Sequence, residues 1–434
     1  MIRKIFRNKS AYLGAALVAV GILFNKFLIE ATIVPDKQIE LPSFVTLIYV
    51  FQLLAIASGL YLLIKQPSIR IPGKTELIMP VFSTLLTFFL LEAGARLWLN
   101  YLATPDQYDR YVIFTSINPE ELAWTPHPYL VYYPTPNYRK GQTFHNSLGY
   151  RNDEFSKEKP SSVFRIVALG GSSTYDVRIE DNAKTFTTQL EELLTEEYGY
   201  QNVEVINAGV PGYNSWEILI NLEFRVMDLD PDLVIIYEGT NDVHARMVEP
   251  ISYQGDNSGR RQPWKVPPVP LWEHSALLRI LSRMTNFTRQ VSVDDFVSSP
   301  TFLSWPYEYR LSENDVDPAK ILEKNPPIYF RRNLENMIAI SEEHDIDILF
   351  STWAYSPYLD DYASKAYYQQ GFEENNDVVK EVANRHHIHL FDFAGVMPQD
   401  VEYWADGRHI NEAGALVKAR LFAEFIDTQK LIEQ

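Results

Sequence analysis

The stretch Arg165-Ile166-Val167-Ala168-Leu169-Gly170-Gly171-Ser172-Ser173-Thr174 decides how the rest of the chain is read. Ile166 to Leu169 form an apolar run of the kind a fully buried strand requires, and the two glycines end it. Ser172 and Ser173 then stand where a helix would begin. A helix N-terminus offers unpaired N–H groups and a positive partial charge, which suits a nucleophile whose attack creates an oxyanion. A serine that merely caps a turn would look the same, so the flanking segments carry the decision.

On the C-terminal side, apolar runs alternate with amphipathic ones. Strands are expected at Val203–Ile206, Leu233–Tyr237, Ile348–Thr352 and Ile388–Phe391, after the first at Phe164–Leu169. Helices are expected around Thr185–Glu197, Trp216–Met227, Arg331–His344, Phe372–Arg385 and from about Asn411 to Thr428. Buried strands separated by amphipathic helices imply a parallel sheet covered on both faces, with its active site at the carboxyl ends of the strands. Residues 246–325 break this rhythm; they are rich in Pro, Trp and Ser, with one helical candidate at Leu277–Met284. Such an insertion reads as a lid or as a surface excursion. Residues 100–160, rich in Pro, Tyr and Asn, read as a linker or a small β cover, and residues 161–434 as the main domain.

The N-terminal side is a different physical object. The first hundred residues hold ten Lys and Arg against five Asp and Glu, so the rest of this chain of net charge −17 carries −22. Residues 43–64 form an uncharged apolar run long enough to span a bilayer, and 77–99 form a second, broken only by Glu92 and Arg96 at i, i+4. Residues 11–34 are a weaker third span, interrupted by Asn25, Lys26 and Glu30. No small-x-small cleavage site followed by soluble sequence marks that segment as a signal peptide. Residues 1–99 are therefore expected to be an anchor of three transmembrane helices. Arg3, Lys4, Arg7 and Lys9 before the first span, and Lys65, Arg70 and Lys74 between the later two, place the N-terminus in the cytoplasm. The acidic body is then extracytoplasmic, and its charge argues against nucleic acid as a partner. The absence of cysteine excludes disulfides and thiolate chemistry.

Each expected strand end carries polar residues. Ser172 follows the first strand, Asn207-Ala-Gly209-Val-Pro-Gly212 the second, Glu238-Gly-Thr-Asn241-Asp242 the third, and Asp406-Gly-Arg-His409 precedes the last helix. A serine nucleophile needs a base, the base needs a partner at Nδ1, and the oxyanion needs donors. Ser172, His409 and Asp406 can fill the first three roles. The backbone N–H groups of Ser172 and Gly212 and the side-chain amide of Asn241 can fill the fourth. Ser173 is the alternative nucleophile. Tyr175, Arg178, Asp242 and Trp404 are candidates for lining the site, and His244 is expected at the surface. His386, His387 and His389 have no carboxylate at ligand spacing and read as structural, so no metal is expected.

These four blocks resemble those of the SGNH hydrolases, the GDSL-type esterases and lipases, over about Phe164 to Thr428 without the insertion. The resemblance implies a three-layer α/β/α, flavodoxin-like domain with a five-stranded parallel sheet in the order 2-1-3-4-5. It gives Ser172, Asp406 and His409 the catalytic triad and Ser172, Gly212 and Asn241 the oxyanion hole. It departs at Gly171, where the family usually has aspartate. What it implies of function is a serine esterase, without cofactor, acting on O-acyl and foremost O-acetyl esters of cell-surface glycans, here membrane-anchored and extracytoplasmic by the reading of the spans. An O-acetyltransferase or a lipid esterase would use the same residues. A non-catalytic glycan-binding or assembly protein on the same scaffold is the reading from another class.

Overall fold

A computed structural model describes residues 9–34, 39, 41–68, 73–113, 122–248, 250–258, 269–288 and 317–432. Arg3, Lys4, Arg7 and Arg70, on which the orientation was read, and the middle of the insertion lie outside these residues. The chain forms two compact units, one of Met1–Ile117 with Val266–Asp295 and one of Asn118–Lys265 with Phe296–Gln434.

In the first unit, helices Pro42–Lys65 and Ile78–Tyr101 (the latter part of a helix that starts at Lys74) are long and apolar enough to cross a membrane. The expected first span is two helices, Lys9–Leu23 and Lys26–Thr32, bent by 66° at the break. The break has a local cause. Asn25 leaves the helix, accepts from Leu28 N at 3.0 Å and donates to Ile22 O at 2.9 Å, so its side chain starts the second helix while ending the first. Helix Lys9–Leu23 packs on Pro42–Lys65 through glycines, since a Cβ on Gly14 would lie 2.7 Å from Gly59 O.

The second unit is built on five parallel strands, with two small antiparallel hairpins before them. The hairpin strands are β1 (Trp124–His127) with β2 (Val131–Pro134), and β3 (Arg139–Lys140) with β4 (Thr143–Phe144). The sheet strands are β5 (Phe164–Gly170), β6 (Val203–Gly209), β7 (Leu233–Tyr237), β8 (Asp347–Ser351) and β9 (His389–Phe391), in the order β6-β5-β7-β8-β9. This is the expected five-stranded parallel sheet in the expected order 2-1-3-4-5. Ile166, Ala168, Val205, Leu233, Ile235 and Leu349 share one core with Phe186, Leu190 and Leu194 of helix Phe186–Glu196 and Ala415, Ala419 and Phe422 of helix Glu412–Gln429. Val167, Leu169, Ile206, Val234, Ile236 and Phe350 are equally buried and, by strand alternation, face the other way. Helices Ser215–Asn221 and Ile328–Glu343 pack there. Burial on both faces explains why these strands read as continuous apolar runs. The helix expected over Trp216–Met227 instead passes after Asn221 into a π turn and then a 3-10 turn.

The hairpins lie on the strand ends of the same unit. The Tyr132 hydroxyl donates to Pro211 O and that of Tyr213 to Tyr132 O. Arg151, fully buried, donates to the carbonyls of Tyr175, Asp176 and Ile179 and to Asn182 Oδ1. That clamp fixes the loop that follows Ser172.

Candidate active site

Strand β5 ends at Gly170, and Ser172 opens a single helical turn, Ser172–Tyr175, with Gly171 at its N-cap. The turn is held from several sides. Thr174 Oγ1 donates to Tyr237 O, Asn207 Nδ2 donates to Thr174 O, and buried Lys418 donates to Ser173 O at 2.9 Å. Lys418 also sits over the Phe186 ring, 3.6 Å from its centroid. Burial lowers the Lys418 pKa and raises that of Asp176, whose carboxylate accepts from Phe186 N.

Ser172 Oγ lies 2.7 Å from His409 Nε2, and His409 Nδ1 lies 2.9 Å from both carboxylate oxygens of Asp406. The loop bringing them together is closed by a bridge between Trp404 and Ile410 and by Ala405 N donating to His409 O. Asn411, not Asp406 or His409, caps the last helix, accepting from Gly414 N. Partial burial would raise the Asp406 pKa, but hydrogen bonds from the His409 ring and from the backbone N–H groups of Arg408 and His409 hold it well below the usual carboxylate range. Arg178, more than half exposed, adds a bond from Nε to Asp406 Oδ2 at 3.0 Å. With Asp406 ionised, the Nδ1 proton faces it, and Nε2 is the acceptor for the Ser172 hydroxyl. Ser173 is turned elsewhere and donates to Arg408 O at 3.0 Å.

Gly212 has φ +82°, a conformation that favours glycine, in the turn after β6. Asn241 lies in the first turn of helix Thr240–Arg246, its Nδ2 donating to Tyr213 O at 2.8 Å. Nδ2 also makes a longer bond, donating to Glu238 Oε2 at 3.4 Å.

The family model for GDSL-like lipases and acylhydrolases matches residues 168–417, more than half of the 434. The chain belongs to this family. No curated protein matches it. Solved structures similar to it include a lipase/acylhydrolase from Enterococcus faecalis, 19% identical, covering 62% of this chain and 97% of that one with a TM-score of 0.37. An acetyl xylan esterase, AlAXEase, is 14% identical over 60% of this chain and 98% of its own, with a TM-score of 0.36. An acetyl xylan esterase from Geobacillus stearothermophilus is 15% identical over 61% and 96%, with a TM-score of 0.38.

In this family member the space beside Ser172 is filled from another strand. A Cβ at Gly171 would lie 2.4 Å from Glu238 Oε2 and 2.5 Å from Asn241 Nδ2. Glu238, buried at the end of β7, accepts from Asn241 N at 2.8 Å, and its Oε2 lies 3.4 Å from Asn241 Nδ2. Burial, and then the neighbouring Asp242, push its pKa up to about 8. Sequence reasoning passed over Glu238, although a carboxylate closing an all-apolar strand immediately before the Asn241 block was a visible signal. Lys418 left a similar signal, a lone cation in the Gly414, Ala415, Ala419, Phe422 face of the last helix.

Four expectations need correction. His244 is buried, not at the surface, because helix Thr240–Arg246 turns it inward, with Nδ1 2.9 Å from the Tyr368 hydroxyl. Tyr175 does not present its ring to the site: it is buried, its hydroxyl 2.8 Å from His145 Nε2 and its ring against Trp124. Asp242 is buried as an acceptor for Ser215 N and Oγ, with its pKa pushed up to about 7 by burial. Trp404 lies in the core and donates from Nε1 to Pro398 O, so it braces the Asp406–His409 loop from behind. Groups that do stand at the Asp406–His409 loop include Arg178, on Asp406, then Arg408, paired with Asp361 at 2.7 Å and lying over the Tyr362 ring, and His244, 3.5 Å from Arg408.

Proposed function

We propose that this chain is a membrane-anchored, extracytoplasmic serine esterase that removes O-acyl, foremost O-acetyl, groups from cell-surface glycans. The observation that carries the reading is the continuous line of short contacts from Ser172 Oγ through His409 to Asp406. His409 takes the proton from Ser172 as Oγ attacks the ester carbonyl, and Asp406 stabilises the imidazolium. The backbone N–H groups of Ser172 and Gly212 receive the oxyanion, joined by the amide of Asn241 as its long bond to Glu238 Oε2 gives way. Collapse of the tetrahedral intermediate releases the alcohol with the proton from His409 and leaves an acyl group on Ser172. Water, activated by His409, then releases the acid. Family membership supports an ester substrate. The polar and aromatic surroundings of the triad loop, with Arg408, His244 and Tyr362, suit a hydroxyl-rich acyl carrier better than a long acyl chain. The apolar helices of the first unit support anchoring, and the basic flanks of the spans support the external placement of the second unit.

The full chain in detergent, treated with a fluorescent fluorophosphonate, should label in the wild type and not in Ser172→Ala. Label surviving in that variant would move the nucleophile, first to Ser173. Acetate release from acetylated oligosaccharides, with and without a sugar acceptor, separates hydrolysis from transfer. A reporter fused after Gln434 that is active only in the cytoplasm would overturn the topology.

A further inference from the structure

Residues 271–284 of the insertion are built inside out for a segment in water. The helix Ala276–Met284 buries Ala276, Arg279 and Arg283 and exposes Leu278, Leu281 and Met284. Leu271, in the preceding 3-10 turn, is 90% exposed. A surface helix in water shows the opposite arrangement, apolar stripe inward and charges outward.

The inward arginines are bound to backbone. Arg279 donates to Tyr111 O and Glu273 O, and Arg283 donates to Arg110 O and Val112 O, with Glu273 3.6 Å away. The helix start is tied to the span Ile78–Tyr101. Glu92 accepts from Ser275 Oγ, Ala276 N and Leu277 N at 2.7–3.0 Å, and Arg96, paired with Glu92, donates to His274 O at 2.7 Å. Two further ties fix the ends of the segment: Trp272 Nε1 donates to Ile33 O at 2.7 Å, and the Phe287 ring packs edge-on to Phe44 at 5.0 Å. Every one of these contacts lies within the first unit.

We infer that the face formed by Leu271, Leu278, Leu281 and Met284 is a lipid-binding surface, seated in the interface of the bilayer that the apolar helices cross. The inference rests on the membrane-anchored reading. The occupant follows from position. Glu92 lies fourteen residues beyond Ile78, about 21 Å along the span at roughly 1.5 Å per residue. In a hydrocarbon core about 30 Å thick, this puts the tether in the final third, next to one interface. The surrounding surface of the span is also apolar and exposed, including Leu85, Phe89 and Leu90. An amphipathic helix at that depth buries its apolar face among the upper acyl chains, and Trp272 stands where interfacial tryptophans gather. The insertion thereby gives the chain a contact with lipid in addition to its spanning helices.

The absence of cysteine makes the test direct. Single cysteines at Leu278, Leu281 and Met284 of the full chain carry an environment-sensitive nitrobenzoxadiazole probe in phosphatidylcholine–phosphatidylglycerol vesicles. Leu85→Cys is the reference within the span and Glu196→Cys the reference in water. Doxyl-labelled phosphatidylcholine should quench all three helix positions, and iodide should quench them at least about fivefold less than the probe at position 196. Iodide quenching equal to that at 196, with doxyl quenching at 85 intact, would overturn the inference and leave the membrane reading standing. Loss of doxyl quenching at 85 as well would overturn both. Protection from both quenchers, with bismaleimide cross-linking of Leu281→Cys to itself, would overturn the inference in favour of a second copy of the chain. Three positions on one face keep a single misfolded variant from deciding the result.

Discussion

Replacing Gly171 by the aspartate usual in the family should inactivate this enzyme, and emptying the Glu238 slot should restore it. A Cβ at position 171 would stand 2.4 Å from Glu238 Oε2 and 2.5 Å from Asn241 Nδ2, where ordinary contacts begin at 3.4 Å. Both neighbours must therefore withdraw by about an ångström, before the added carboxyl is accommodated. Neither is free to do so at low cost. Glu238 is held by Asn241 N, and Asn241 by Tyr213 O. Overpacking of this kind costs about 1–3 kcal/mol in stability, and displacement of an oxyanion donor costs about 10²–10³ in kcat. Gly171→Ala should show the steric part alone, and Gly171→Asp with Glu238→Ser should recover at least about tenfold over Gly171→Asp, because the carboxyl then enters vacated space. The assay is p-nitrophenyl acetate hydrolysis alongside the rate of fluorophosphonate labelling, with Tm measured for each variant. Wild-type kcat in Gly171→Asp, or a folded double variant no faster than that single one, would refute the reasoning.

Three further outcomes are expected. The Glu238 pKa is raised on folding, so its stabilising contribution is complete below about pH 4.5 and is lost as pH rises through about 8; Asp242, raised to about 7, acts in the same direction. Between pH 5.5 and 8.5 the Tm of the wild type should drop relative to that of Glu238→Gln, which mimics the protonated acid; a constant difference between the two would contradict it. In the esterase assay Ser173→Ala should retain activity, whereas Asp406→Asn should lower kcat by about 10⁴ through the wrong histidine tautomer; equal losses in the two would speak against the assigned roles. Arg151→Ala leaves three loop carbonyls without their buried donor, which at about 1–3 kcal/mol per orphaned group should destabilise the fold by roughly 3–9 kcal/mol. Chemical denaturation measures it, and a change under about 1 kcal/mol would show that the clamp is dispensable.

The sheet was legible because its physics is local. A strand segment buried on both faces is apolar along its length, and Ile166–Leu169, Leu233–Tyr237 and Ile348–Phe350 show this in their residues as clearly as in their burial, whereas β6 carries Glu204 and Asn207. Parallel strands bring their carboxyl ends to one edge, so Ser172, Gly212 and Asn241 could be grouped from spacing and order. What remained hidden was the direction in which side chains turn. His244 follows the Asn241 block by three residues, and nothing in that spacing says that a short helix will swing it onto Tyr368. The amphipathic pattern of Leu277–Met284 identified a helix but not its medium, because periodicity separates two faces without saying which one meets water. Only the contacts of Arg279, Arg283 and Glu92 orient it.

Gly171 shows a second limit, one of counting rather than of orientation. Read along the chain, a glycine in place of aspartate is a loss, a missing brace beside Ser172. Read across the sheet, it is half of an exchange. Strands β5 and β7 are neighbours, with Gly170 paired to Tyr237, so the residues following them, 171 and 238, compete for one volume. A carboxyl can enter that volume from either strand, but not from both. The absence of a side chain at 171 and the presence of a buried acid at 238 are thus one structural fact, distributed over two positions 67 residues apart in the sequence. Substitutions at such a pair should be strongly non-additive, which single replacements at either position would not reveal.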